Sequence, residues 1–342
     1  MAYTTINKSS LHMNTKLYTG TGSTNAQTGV GFQPDLLWNK ARSTADNHLL
    51  YDAIRGITKT ISSDLTSAEA TRDSTFLTSI DSDGFTVGSN ANINANGNNF
   101  VMWNWKANGA GSANTDGSIN STVSVNTTSG FSIVKFTGTG ANATVGHGLG
   151  AVPKMMIFKN LDQGSEGWMV YHASTGNTKR LLLDDTAVAS TSSTFWQDTT
   201  PTSSVFSVGS NHGMNGTHNM IVYCFAEKTG YSKFGSYQGT SSTDGAFINL
   251  GFKPTFFMAK CIDNAESWYI FDNKREGYNV ENRDLYADNT GTDGSADWLD
   301  ILSTGIKFRY NSIGLNGSSN NYIYMAFGQS LVGSNNVPCT AR

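Results

Sequence analysis

Charge is scarce in this 342-residue sequence. Asp, Glu, Lys and Arg make up 14% of it, against about 25% in an ordinary globular chain. With 23 basic and 26 acidic residues, the net charge is −3. A nucleic-acid footprint needs a basic excess and a membrane-surface anchor needs a polybasic run, so neither partner is expected. Long apolar runs are missing too. Met155 to Phe158 is among the longest, far short of the ~18–20 residues of a membrane helix. The start, Met1-Ala2-Tyr3-Thr4-Thr5-Ile6, places no apolar core behind a basic stretch, so no secretory leader is expected. The three cysteines, Cys224, Cys261 and Cys339, are an odd set in unrelated contexts. They read as buried thiols of a chain made in a reducing cytoplasm rather than as a disulfide framework. Glu is scarce beside Asp, so the acids lean toward turn formers.

What the sequence does have is Gly, Ser, Thr and Asn between short aromatic and β-branched runs, and a pattern that recurs. Only five prolines exist, and three hold one position. Gly31-Phe32-Gln33-Pro34 leads to Lys40, Gly150-Ala151-Val152-Pro153 to Lys159, and Gly251-Phe252-Lys253-Pro254 to Lys260. Each Lys stands six residues after its Pro, across a mostly apolar run. Upstream lie Tyr18-Thr19-Gly20-Thr21, Phe136-Thr137-Gly138-Thr139 and Tyr237-Gln238-Gly239-Thr240. Downstream lie His48 to Asp52, Trp168 to His172 and Trp268 to Asp272, and each copy closes on a strand-like run after Asn98, His218 or Asn320. The Pro-to-Pro separations, 119 and 101 residues, are domain-sized rather than those of a solenoid.

Runs of this kind every 8–15 residues predict an all-β chain of three tandem β-sandwich domains, lectin-like or jelly-roll-like. The expected division is an N-terminal segment 1–13, sandwiches over 14–108, 131–228 and 229–329, a polar linker over 109–130 and a tail over 330–342. Ser121 to Val125 could pair as an edge strand. Pro at each strand start fits a position that needs no ladder N–H. Short helices are expected at Asp64 to Arg72 and at Asp297 to Leu302.

Chemical motifs are sparse. His12, His48, His147, His172, His212 and His218 are scattered, and His212 and His218 read as one polar loop rather than a zinc site. Gly146-His147-Gly148-Leu149-Gly150 resembles a phosphate loop, but a strand follows it, so it reads as a turn. Asp81-Ser82-Asp83-Gly84 starts like a calcium loop yet has Asn90 where the bidentate Glu belongs, which leaves a hairpin turn. Asp184-Asp185 would point to opposite faces of a strand and cannot easily flank one glycosidic bond. Trp38, Trp103, Trp105, Trp168 and Trp268 fall in strands and read as core. Trp196 and Trp298 lie near polar turns, where an exposed ring could stack on a sugar. No catalytic residue, metal ligand or cofactor is assigned, the binding residues are left open, and no enzyme is expected.

Met1 to Ile6, Tyr18 to Gly22, Gln33-Pro34-Asp35, His48 to Asp52 with Arg55-Gly56, Asp81 to Gly88, Val145 to Gly150, Val170 to Ser174, Tyr223 to Glu227 and Lys233 to Tyr237 together resemble a family encoded by tailed bacteriophages. The likeness spans nearly the whole chain. It implies a virion structural protein, often suggested to be a tail or tail-fibre component, with β-rich lectin-like domains and no established catalytic residues. The expected role is therefore binding, by docking on the particle or contacting the host surface. The partners would be other virion proteins and host glycans, with a homotrimer as the expected oligomer and the virion as the location after synthesis in the host cytoplasm. A capsid decoration protein and a polysaccharide-degrading virion enzyme are the alternatives.

Overall fold

The computed structural model describes residues 4–330 and residue 332; Cys339 and nearly all of the expected tail lie outside them. The chain is all-β, with antiparallel sheets and, among the described residues, only single-turn helices. Among the described residues, no helix is long and apolar enough to cross a membrane.

Three large sheets share one strand order. In the first, Met13–Thr19 pairs with Asn99–Trp105, which pairs with Leu36–Ala41, which pairs with Leu49–Asp52. In the second, the same places are held by Phe131–Thr137, Asn219–Phe225, Met155–Asn160 and Met169–His172. In the third, they are held by Ser232–Gln238, Asn321–Ser330, Phe252–Cys261 and Trp268–Asp272. Each large sheet faces a small one, built around Gly84–Val87, Val205–Val208 or Gly305–Phe308. A large sheet and its small partner are called a module below.

Strand periodicity explains the apolar-on-both-faces runs. Side chains alternate, so Leu37, Phe100 and Met102 enter the core between the sheets of the first module, while Leu36, Trp38, Val101, Trp103 and Trp105 leave on the other face. Met156 and Phe158 divide in the same way from Met155 and Ile157, and Phe257 and Ala259 from Phe256 and Met258. The second faces of all three large sheets meet in one shared core. Each module thus has its own sandwich core and contributes a wall to a common one. The shared core stands beside the three separate module cores.

Four expectations change. Residues 109–130 are not a free linker: Ser112–Asn114 and Ser121–Asn126 add two strands at one edge of the second large sheet, which reaches eight with Lys179–Leu182 and Ser190–Thr191 at the other, and Val123 and Ile119 are buried. Pro254 lies inside a strand rather than at its start, and a register shift between Pro254 and Phe256 accommodates the missing N–H. Residues 64–72 form no helix, because tertiary partners take their polar groups: Asp64 accepts from His48 N, and Glu69 N donates to Leu161 O of the second module. Residues 299–302 form a hairpin strand with Gly305–Phe308, and Arg309 holds Asp300.

Candidate functional site

The residues with most chemical potential hold the modules together. Lys40, Lys159 and Lys260 are fully buried at the shared core's edge. Each ammonium donates across a junction to a backbone carbonyl: Lys159 Nζ to Thr66 O at 2.8 Å, Lys260 Nζ to Thr186 O at 3.0 Å and Lys40 Nζ to Thr290 O at 3.1 Å. The second module thus grips the first, the third grips the second and the first grips the third. A second set runs in the same direction. Trp168 Nε1 donates to Ser62 O at 2.9 Å, Trp268 Nε1 to Leu182 O at 2.7 Å, and His48 Nε2 to Tyr286 O at 2.8 Å. The indole of Trp38 donates to His48 Nδ1 at 2.7 Å, which fixes the Nε2–H tautomer. A third set is backbone to backbone: Glu69 N to Leu161 O, Ala189 N to Ile262 O and Asp293 N to Arg42 O. Equivalent groups thus close a three-membered circuit of contacts among the modules.

Electrostatics follows burial. Lys40 and Lys159 are pushed down to about 8 by burial, against nearby carboxylates that pull the other way. His48 falls to about 3 through burial and the Lys40 charge, and His172 to about 4 through burial. Asp64, Asp184 and Asp288 hold the backbone N–H of His48, Trp168 and Trp268. Burial raises all three, Asp64 to about 6.

The other singled-out residues fall in place around this frame. Asp184 is structural, and Asp185 accepts from Ala187 N in its own turn. Asp83 accepts from Gly29 N and Gly31 N beside its hairpin. The two glycines that end the 146–150 stretch, Gly148 and Gly150, turn with positive φ. His212 and His218 lie edge to face with ring centres 6.0 Å apart. Among the described residues, no group of three or more His, Cys, Asp or Glu side chains is placed to hold a metal ion. Cys224 and Cys261 are free and buried. Trp196 and Trp298 offer no exposed ring: they are 1% and 6% exposed. Trp196 packs on Phe158 and Tyr171 and donates to Lys179 O, and Trp298 packs on Tyr269 and Tyr310. The polar turns near both residues conceal sandwich interiors.

Two surfaces remain for binding. The first is a set of exposed Thr/Gly loops, one per module, at Thr21, Thr139 and Thr240. Each is fixed from beneath by a buried Asn on a single-turn helix: Asn94, Asn215 and Asn316 accept from the loop N–H at 2.9, 3.1 and 2.9 Å. These asparagines recur six residues after Gly88, Gly209 and Tyr310, a signal the sequence reading did not use. The second is a polar cleft of about 280 Å³ where the first and third modules meet, lined by Arg42, Ser43, Asn99, Arg283 and Asp293. Arg42 is held by Asp293 through Nε and Nη2 at 2.8 and 2.7 Å. Arg283 Nε donates to Glu276 at 2.9 Å. Tyr278, two residues after Glu276, is 64% exposed.

No curated protein and no solved structure matches the chain. One family does match, over residues 8–330, and its description is "Domain of unknown function (DUF7483)". That span takes in all three modules and the circuit of contacts between them, so the chain belongs to the DUF7483 family.

Proposed function

We propose that this chain is a bacteriophage virion protein, a tail or tail-fibre component that works by binding. The observation that carries the reading is where the versatile side chains go. Lys40, Lys159, Lys260, His48 and the aspartates beneath the junction tryptophans lock a closed ring, while Thr- and Asn-rich loops fixed on buried asparagines face solvent. A rigid ring that repeats one loop three times is suited to multivalent contact, in which weak sites gain through effective concentration. The circuit of three modules closes within one chain, so docking on a threefold-symmetric element of a particle would need one copy, and three copies along a fibre are compatible with it. The same closed circuit of three modules favours a second reading, decoration of threefold positions on the shell.

Electron microscopy of particles carrying a labelled chain tests both. Density on the tail supports the first reading and density on the shell the second; absence from particles overturns both. Binding of the purified chain to host cells supports adhesion. Release of reducing ends from host polysaccharide, abolished by an Asp or Glu substitution, would make it an enzyme instead.

A further inference from the structure

The three junctions share their Lys clamps and backbone bonds but differ in charge just beyond the clamp. The position two residues after each clamping Lys is Leu161 in the second module and Ile262 in the third, but Arg42 in the first. The next position is Asp162, Asp263 and Ser43. Asp162 Oδ2 accepts from both N and Nδ2 of Asn219, and Asp263 Oδ2 does the same for Asn321. In the first module, Ser43 Oγ accepts only the backbone N–H of the matching Asn99, at 3.0 Å. An aliphatic residue has become a guanidinium and a carboxylate has become a hydroxyl, a local change of +2. The ring does not need this exchange, because two junctions close without it.

The cleft presents donors without acceptors. Among the described residues, Arg42 Nη1, Arg283 Nη2 and Asn99 Nδ2 have no protein partner, and Ser43 keeps its own O–H to donate. The one carboxylate of the cleft wall, Asp293, is already shared between Arg42 and the buried Arg275. It holds the Arg42 guanidinium in place rather than offering a free acceptor. Arg283 of the cleft wall pairs with Glu276, and the exposed Tyr278 follows Glu276 by two residues in the chain. Fixed guanidinium edges match a planar or tetrahedral oxyanion, and an exposed tyrosine ring suits the C–H face of a sugar.

We propose that this cleft binds the oxyanion of an acidic saccharide, a uronate carboxylate or a sulfate ester, with the sugar ring toward Tyr278. The inference rests on the binding reading above and gives one of its surfaces a ligand class. It is tested on the full chain by calorimetry with three probes: an oligogalacturonate, the same oligomer with its carboxyl groups reduced to alcohols, and a sulfated neutral oligosaccharide. The key variant is R42L/S43D, which installs the side chains of the second junction. Tryptophan fluorescence and melting check its fold, and R283A at the cleft rim serves as a second variant.

The expected result is binding of one or both charged probes, weakened by salt, with at least about tenfold lower affinity in R42L/S43D and in R283A. Which charged probe binds identifies the source of the oxyanion. Equal binding of the reduced oligomer, undiminished binding by both variants or binding of none of the probes overturns the assignment. A chain found on particles and adhering to cells in that case keeps the virion reading; a chain absent from particles ends that reading whatever the probes show.

Discussion

Removing the Asp272 carboxylate should destabilise the whole ring, and the structure sets the scale. Asp272 and Arg275 are fully buried, with Nε to Oδ2 at 2.7 Å. Oδ2 also accepts from Trp103 Nε1 of the first module at 3.0 Å, and Oδ1 accepts from the N–H of Lys274 and Arg275. Burial alone would raise this carboxyl; Arg275 and the Trp103 N–H outweigh it and hold it below its ordinary value. Asp272→Ala leaves the guanidinium with Asp293 as its remaining ion-pair partner and the Trp103 N–H without its acceptor. Breaking a buried pair on one side costs about 3–5 kcal/mol, and the stranded N–H adds about 1 kcal/mol or more. Arg275→Ala leaves Asp272 with three N–H donors and should cost less, about 2–3 kcal/mol. The double variant carries no stranded charge, so it should be more stable than the sum of the singles predicts, by about 2 kcal/mol. The second module already manages without the pair, with His172 and Thr175 at the same offsets. Urea unfolding followed by tryptophan fluorescence measures all four proteins. A change below about 1 kcal/mol for Asp272→Ala, or strict additivity in the cycle, would refute the reasoning.

Three further outcomes follow from the same frame. Because one core is common to all modules, urea should unfold the chain in a single transition, and a fragment covering 131–228 alone should not fold cooperatively; separate transitions for the modules would contradict the shared core. His172 is held neutral, with a folded value near 4 against 6.5 unfolded, so its contribution is complete above pH 6.5 and is lost as pH falls toward 4. His172→Gln should therefore flatten the loss of stability between pH 6 and 4.5 by about 1.4 kcal/mol per pH unit, read from urea midpoints at each pH. Gly84→Ala should cost about 2 kcal/mol or more, because a Cβ there runs into the backbone carbonyl of Gln27; a melting temperature within two or so degrees of the parent would exclude that.

The sandwich strands were legible because alternation and turn chemistry are local. The Pro-to-Lys spacing, the Gly-Thr loops and the Asn-led closing strands all mark elements that occupy matching places in the three large sheets. The meaning of the recurring Lys was not legible. Its partners, Thr66, Thr186 and Thr290, lie in stretches of weak pattern, and a backbone carbonyl has no sequence signature. The same blindness produced the helix expected at 64–72, where partners in other modules decide the backbone. Trp196 and Trp298 misled for a related reason: polar neighbours in sequence say where a loop is, not which way its one large ring turns. The charge swap at Arg42 and Ser43 was visible in the aligned copies, but it gained meaning only once Asp162 and Asp263 were seen holding their asparagines.

Closure of the ring has a consequence for biosynthesis. Lys40 waits for Thr290, and His48 for Tyr286, partners made roughly 240 residues later. Until the last module leaves the ribosome, the tryptophan-lined inner wall of the first has no permanent cover. Such late, distant pairing is slow and favours association between unfinished chains. Yield in a foreign host should thus depend on translation speed and chaperone supply more than the stability of the finished ring suggests.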